Sequence, residues 1–291
     1  MSNAKVRVST AAFDKAIESE ASEYYRLSIQ LSQDGFSFCL LDTRRNKYLG
    51  LQAFSFMDIK SIHVLNQVLN ELIQGISWLR LPYELTRIIY NSRTTTLIPE
   101  VLFDPDHLED YLRFNANPAE GNHFMSDHLP LLEARNIWCV PSVILKTLQL
   151  YFPSAGIHHH GSALLESLLL QHKHSQEEEM VFANIHQGWF DIVVLRGGKL
   201  LFYNTFDFAA REDFIYYLIY VLEQLQLNPE TVSLVVTGEV LKISALYDIA
   251  YKYVRKISFA TRNPNFEYSY AFDDIPAHLH FTLLNLQQCE L

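Results

Sequence analysis

Residues 180–208 read MVFANIHQGWFDIVVLRGGKLLFYNTFDF. An apolar run ends in a polar turn with glycine at Gly188, and a second apolar run follows from Trp189 to Leu195. The turn Arg196-Gly197-Gly198 then leads into a third run from Lys199 to Phe208. Short polar turns between β-rich runs are the mark of hairpins, so this stretch predicts a three-stranded meander. Residues 26–56, RLSIQLSQDGFSFCLLDTRRNKYLGLQAFSF, read the same way: strand, turn at Asp34-Gly35, strand, turn, then Lys47 and a third strand. Lys47 and Lys199 lie 152 positions apart, as do Phe54 and Phe206, so the repeat spans half of the 291-residue chain.

Each meander is followed by a helical pattern. Leu65, Val68, Leu69, Leu72 and Ile73 recur at helical spacing after the first. Phe214, Tyr217, Leu218, Val221, Leu222 and Leu225 do so after the second. Such spacing places them on one face, ready to cover a sheet. Asp58 or Ser61, and Asp207, are suited to cap these helices, and Asn228-Pro229 to stop the second. A fourth strand is expected at 86–90 and at 232–237, the latter ending in Gly238. A further helix then buries Leu246, Ile249, Ala250, Tyr253 and Val254. Between the repeats, strands are expected at 136–140 and 157–160 and helices at 142–151 and 162–171, with a last strand at 278–286. The division expected is a polar, mobile or weakly helical lead-in (1–23), a first subdomain (24–120), a connecting strand-helix region (121–179) and a second subdomain (180–291).

Composition narrows the function classes. At 49% hydrophobic and 19% charged, with 19 Phe and 16 Tyr, the chain can bury a substantial core. A net charge of −10 without a compensating Lys/Arg cluster argues against nucleic acid as a partner. Cys39, Cys139 and Cys289 are odd in number and far apart, which fits buried thiols in the cytoplasm. The polar start predicts no signal peptide, and no apolar run has the length that membrane insertion requires.

A meander, a helix and a further strand, twice over, resembles the actin-like ATPase superfamily. Residues 181–255 look particularly similar to the actin-like assembly proteins of type IV pilus and type II secretion systems. Over nearly its full length the chain also resembles an uncharacterised bacterial domain-of-unknown-function family of that fold. The resemblance implies an α/β fold of duplicated ribonuclease-H-like β-β-β-α-β-α units, the actin-like ATPase fold, in a cytoplasmic protein.

In active members of that superfamily two hairpins, each typically reading Asp-x-Gly, cradle the phosphates. Glycine lets the backbone N–H groups approach, and the carboxylate positions Mg²⁺ or water. Here Asn184 stands where the second acid belongs and His186 where the first glycine belongs, ahead of Gly188. The first hairpin carries Asp34 in the turn before Gly35, not on the strand. The paired glycines of the adenosine motif are reduced to Gly238 followed by Glu239. Asp34, Gly35, Asn184, Gly188 and Gly238 therefore mark where a cleft would lie, with no catalytic residue and no cofactor expected. ATP with Mg²⁺ is the alternative. The reading that results is a non-catalytic scaffold or protein-interaction module.

His158-His159-His160 invites a metal, but neighbours on a strand face opposite ways, and three or four converging ligands are needed. Surface or half-buried polar positions are expected, with no metal. Asp42 and Asp191 could suggest a two-metal nuclease, but the first strands lack the acid such an enzyme needs. Tyr216, Tyr217 and Tyr220, beside Phe214, read as core and flank or as an exposed partner surface.

Overall fold

The computed structural model describes residues 5–175 and 177–291. The first four residues of the lead-in, and Gln176 at the head of the acidic run 176–179, lie outside the described residues. The chain forms two compact units. Unit one takes in the described residues to Glu166 together with Pro264–Asp274 and Thr282–Leu291, and unit two is Ser167–Asn263 with Ile275–Phe281.

In unit one, β1 (Lys5–Phe13), β2 (Tyr25–Leu31), β3 (Gly35–Asp42) and β4 (Lys47–Met57) precede helix α1 (Ile62–Gly75) and strand β5 (Leu85–Tyr90). Next come β6 (Thr95–Pro99), α2 (Leu108–Asn115), β7 (Asn122–Leu129), β8 (Ala134–Pro141), α3 (Ser142–Tyr151), β9 (Gly156–His159) and α4 (His160–His172), within which the chain leaves the unit. The main sheet runs β1-β4-β3-β2-β5-β9, and β6-β8-β7 make a separate small sheet. The meander is antiparallel, whereas β5 runs parallel to β2 and β9 parallel to β5. Leu27, Ile29 and Leu31 alternate onto one face, where Leu65, Val68, Leu69 and Ile73 of α1 close over them. Ser61 caps α1 by accepting the Val64 N–H.

Unit two repeats that order: β10 (Glu179–His186), β11 (Trp189–Arg196), β12 (Lys199–Asp207), α5 (Arg211–Gln224), β13 (Ser233–Gly238), α6 (Ala245–Tyr253) and β14 (Lys256–Phe259). Its sheet runs β12-β11-β10-β13-β14, with β13 and β14 parallel to β10. Val181, Ala183 and Ile185 meet Phe214, Leu218, Val221 and Leu222 in its core. Returning to unit one, β15 (Glu267–Tyr268) pairs with β4. The last helix is α7 (Phe281–Asn285). Among the described residues no helix is long and apolar enough to cross a membrane.

Several expectations need correction. From Lys5 to Phe13 the lead-in is neither loop nor helix but the edge strand of the first sheet, paired with β4 with one register shift between Val8 and Thr10. Its alternation is hidden because most of it is exposed. Residues 278–286 form no strand: a turn leads into α7 (Phe281–Asn285), and tertiary packing of Leu283, Leu284 and Leu286 overrides a weak alternation. Asp207 does not cap α5: Asp213 accepts the N–H groups of Ala209 and Ala210 instead. Tyr253, expected in the core, is 54% exposed. The unit boundary falls inside α4, whose helical pattern offers no turn residue to mark it.

Candidate functional site

Strand alternation places Asn184 and His186 of β10 on the sheet face opposite the core of unit two. Register brings Asp191 of β11 beside Asn184, and Thr205 of β12 beside Asp191. The Asp191 side chain is fully buried. Its Oδ2 accepts from Asn184 Nδ2 at 3.1 Å and lies 3.1 Å from His186 Nε2. Its Oδ1 accepts from Thr205 Oγ1 at 2.7 Å and from the Tyr203 hydroxyl at 3.4 Å. Burial, and then the Asp191 charge, pushes the Tyr203 phenol well above its ordinary range. Trp189, across the turn, stacks on the His186 ring at 3.7 Å between centroids and 9° between planes. The second hairpin is thus filled by its own side chains. A buried carboxylate survives because hydrogen bonds satisfy both of its oxygens.

Gly188 sits at the hairpin turn with φ +81°, and its carbonyl accepts the Phe208 N–H. Gly238 ends β13 at φ +83°, next to Ile185 in the parallel register. A Cβ there would come 2.2 Å from the Ile185 carbonyl oxygen and 2.9 Å from Asn184 Oδ1. Close packing onto β10 therefore demands this glycine. Its N–H is already given to the His278 carbonyl, and the Thr237 hydroxyl donates to the same oxygen. Asn184 and Gly238 are brought together on adjacent strands, and Gly188 terminates the same hairpin. Asp34 and Gly35 belong to unit one. There the Asp34 carboxylate takes the Ser32 hydroxyl within the β2–β3 turn, and the Asp34 carbonyl accepts the Phe56 N–H. A cleft of about 260 Å³ beside that turn is lined by residues including Gln33, Ser61, Tyr90, Ser92 and Cys139, with no charged side chain among them.

The histidine run lies where β9 becomes α4 in unit one. His159 and His160 are fully buried, contrary to the surface or half-buried position expected. Asp127 of β7 accounts for the polar groups around His159. Its Oδ2 accepts the His159 N–H at 2.8 Å and the Ser162 hydroxyl at 2.6 Å, and its Oδ1 lies 3.1 Å from His158 Nδ1. His159 Nδ1 accepts the Gly161 N–H, so its proton sits on Nε2, which donates to the Ser92 carbonyl. The Ser162 hydroxyl is thus bonded to a carboxylate and not to an imidazole, and it accepts from Asn136 Nδ2 at 2.8 Å. Residue types alone gave little sign of these networks. The usable signal was Asn184 and His186 at i and i+2 on an otherwise apolar strand, with Asp191 on the next.

The strand order defines the class: an α/β protein of the actin-like ATPase fold. The sequence matches the family described as protein of unknown function DUF3822 over residues 14–257, and the chain belongs to it. No curated protein matches the sequence. The structure resembles a Bacteroides thetaiotaomicron protein with an actin-like ATPase fold and unknown function. The two are 25% identical, with a TM-score of 0.78 over 94% of this chain and 99% of that one. It also resembles a chain of the PilM–PilN type IV pilus biogenesis complex, at 12% identity and a TM-score of 0.53, over 90% of this chain and 97% of that one.

Proposed function

We propose that this protein serves as a scaffold that binds protein partners in the cytoplasm and does not turn over ATP. The observation that carries this reading is the second hairpin. Where an ATPase of this fold keeps a carboxylate and bare backbone for Mg²⁺ and phosphate, Asn184 and His186 are bound to Asp191, with Trp189 stacked on the imidazole. The glycine N–H at the end of β13 is likewise occupied by the His278 carbonyl. Liberating these groups would cost about 1–3 kcal/mol for each buried bond left unmade. The uncharged cleft beside the first hairpin supplies no cation to a triphosphate. A structure of similar fold comes from a complex with a protein partner, which favours partner binding by analogy of fold.

Calorimetric titration with ATP and Mg²⁺, run alongside a phosphate-release assay, tests the reading. The expected outcome is no heat of binding and no release above buffer. Micromolar binding together with turnover would replace the scaffold reading with an ATPase whose phosphate loops have diverged.

A further inference from the structure

The cleft of about 260 Å³ beside the first hairpin lies wholly within unit one. Tyr90, the last residue of β5, lines it. Tyr90 is only 7% exposed, and its ring packs on Trp138 at 6.5 Å between centroids. Among the described residues its hydroxyl has no hydrogen-bond partner. Folding ordinarily supplies a partner to a buried phenol, so this one is left to whatever fills the cleft. Burial pushes its pKa up to about 12, which keeps the group a protonated donor at neutral pH.

The rest of the lining is of two kinds. Ile59, Ile62, Leu65 and Pro141 give apolar surface, and Gln33, Ser92 and Asn122 give neutral polar groups. Ser92 Oγ lies 3.2 Å from His159 Nε2, which carries the ring proton, so the serine keeps its own proton to donate. Asn122 Nδ2 donates to Cys139 Sγ at 3.4 Å, and its Oδ1 has no partner among the described residues. The Gln33 amide has none there either. No charged residue lines the cleft, and the nearest charged residues along the chain, Asp34, Asp58, Lys60, Arg93 and Glu120, are of both signs. A charged ligand would lose its hydration with no counter-ion in the lining. The volume is that of about nine waters, which suits a molecule of about ten non-hydrogen atoms.

We infer that this cleft binds a small uncharged cyclic amide, the chemistry shared by a nucleobase and a cyclic dipeptide. The ring would lie against the isoleucines and Pro141. Its N–H and C=O edge would meet the amides of Gln33 and Asn122 and the hydroxyls of Ser92 and Tyr90. Asn and Gln pair well with such an edge because donor and acceptor sit side by side on both partners. A polyol would instead press hydroxyls against the isoleucines. Such a site neither needs nor excludes the partner-binding reading.

Saturation-transfer NMR on the full chain tests it. The probes are thymine and cyclic glycyl-leucine, with orotate as a charged pyrimidine and glucose as a neutral polyol. At least one cyclic amide is expected to bind, between millimolar and micromolar for so few atoms. Thymine alone would point to a nucleobase as the source, and cyclic glycyl-leucine alone to a peptide. Orotate and glucose should bind at least about tenfold more weakly. Tyr90→Phe and Asn122→Asp should each weaken the amide by about tenfold. Tyr90→Phe removes a hydroxyl that the fold leaves unpaired, so its melting temperature should equal or exceed that of the wild type. A fall would mean that the hydroxyl has a structural role, and would sink the assignment. Lys199→Gln, at an exposed position of unit two, should leave binding within about twofold. The proposal is overturned if neither cyclic amide binds, if Tyr90→Phe binds as tightly as the wild type, or if orotate or glucose matches the amides. Any of these failures would leave the scaffold reading standing.

Discussion

At the level of single residues, backbone conformation and polar satisfaction outweigh side-chain identity. Gly188 and Gly238 both have φ near +80°, yet they differ in surroundings. A Cβ on Gly188 would meet nothing nearer than 3.9 Å, whereas one on Gly238 would strike the Ile185 backbone. Gly188→Ala should therefore cost about 1 kcal/mol, the price of a left-handed conformation. Gly238→Ala should cost about 3 kcal/mol or more, because β13 must also move away from β10. Urea denaturation of both variants checks the contrast, and equal losses would mean the close approach carries no energy. Glycine at a strand end was legible in the sequence. The close approach of Gly238 to the Ile185 backbone was not, since a packing glycine and a ligand-facing one lack the same side chain.

At the level of elements, the C-terminal segment is bound by polar contacts to the sheet of unit one. Arg87 on β5 donates to the carbonyls of Leu286 and Cys289, and Gln287 donates to the Ser28 hydroxyl. The Tyr48 hydroxyl donates to the Leu284 carbonyl at 2.7 Å. Arg87→Met keeps the stem but takes a charged donor away from two carbonyls, and it should cost about 2–3 kcal/mol. Hydrogen exchange should show residues 282–291 losing protection first, and unchanged protection there would refute the anchoring role. The meanders and the helices that cover them could be read from the sequence because their burial is one-sided and periodic. The edge strand Lys5–Phe13 and the strands β6 and β7 that flank β8 were not legible. The first is exposed along most of its length, β6 has only five residues, and β7 carries polar residues without strict alternation. The α7 segment was misread because five residues are too few to distinguish a helical period from an alternating one.

For the whole molecule, acid should be the sensitive direction. Burial lowers the pKa of His280 to about 4 and also pulls His172 and His278 below 6.5, all three in unit two. A histidine held neutral in the fold resists a proton that the unfolded chain accepts readily. Above pH 6.5 neither state binds that proton, so stability is fully retained there. As pH falls from 6.5 towards 4 the unfolded state takes it up alone, and stability drains away. Melting temperature should fall steadily across that window, and His280→Asn, which tolerates the left-handed backbone found there, should show a shallower slope. Identical slopes would exclude His280 as a source of the effect. The interleaved order of the chain also bears on its synthesis. Unit two needs residues to 281 and unit one needs residues to 291, although the first sheet begins at residue 5. A ribosome that has finished both meanders has therefore completed neither unit. Early strands must wait, open to chaperones and proteases, until the closing residues emerge.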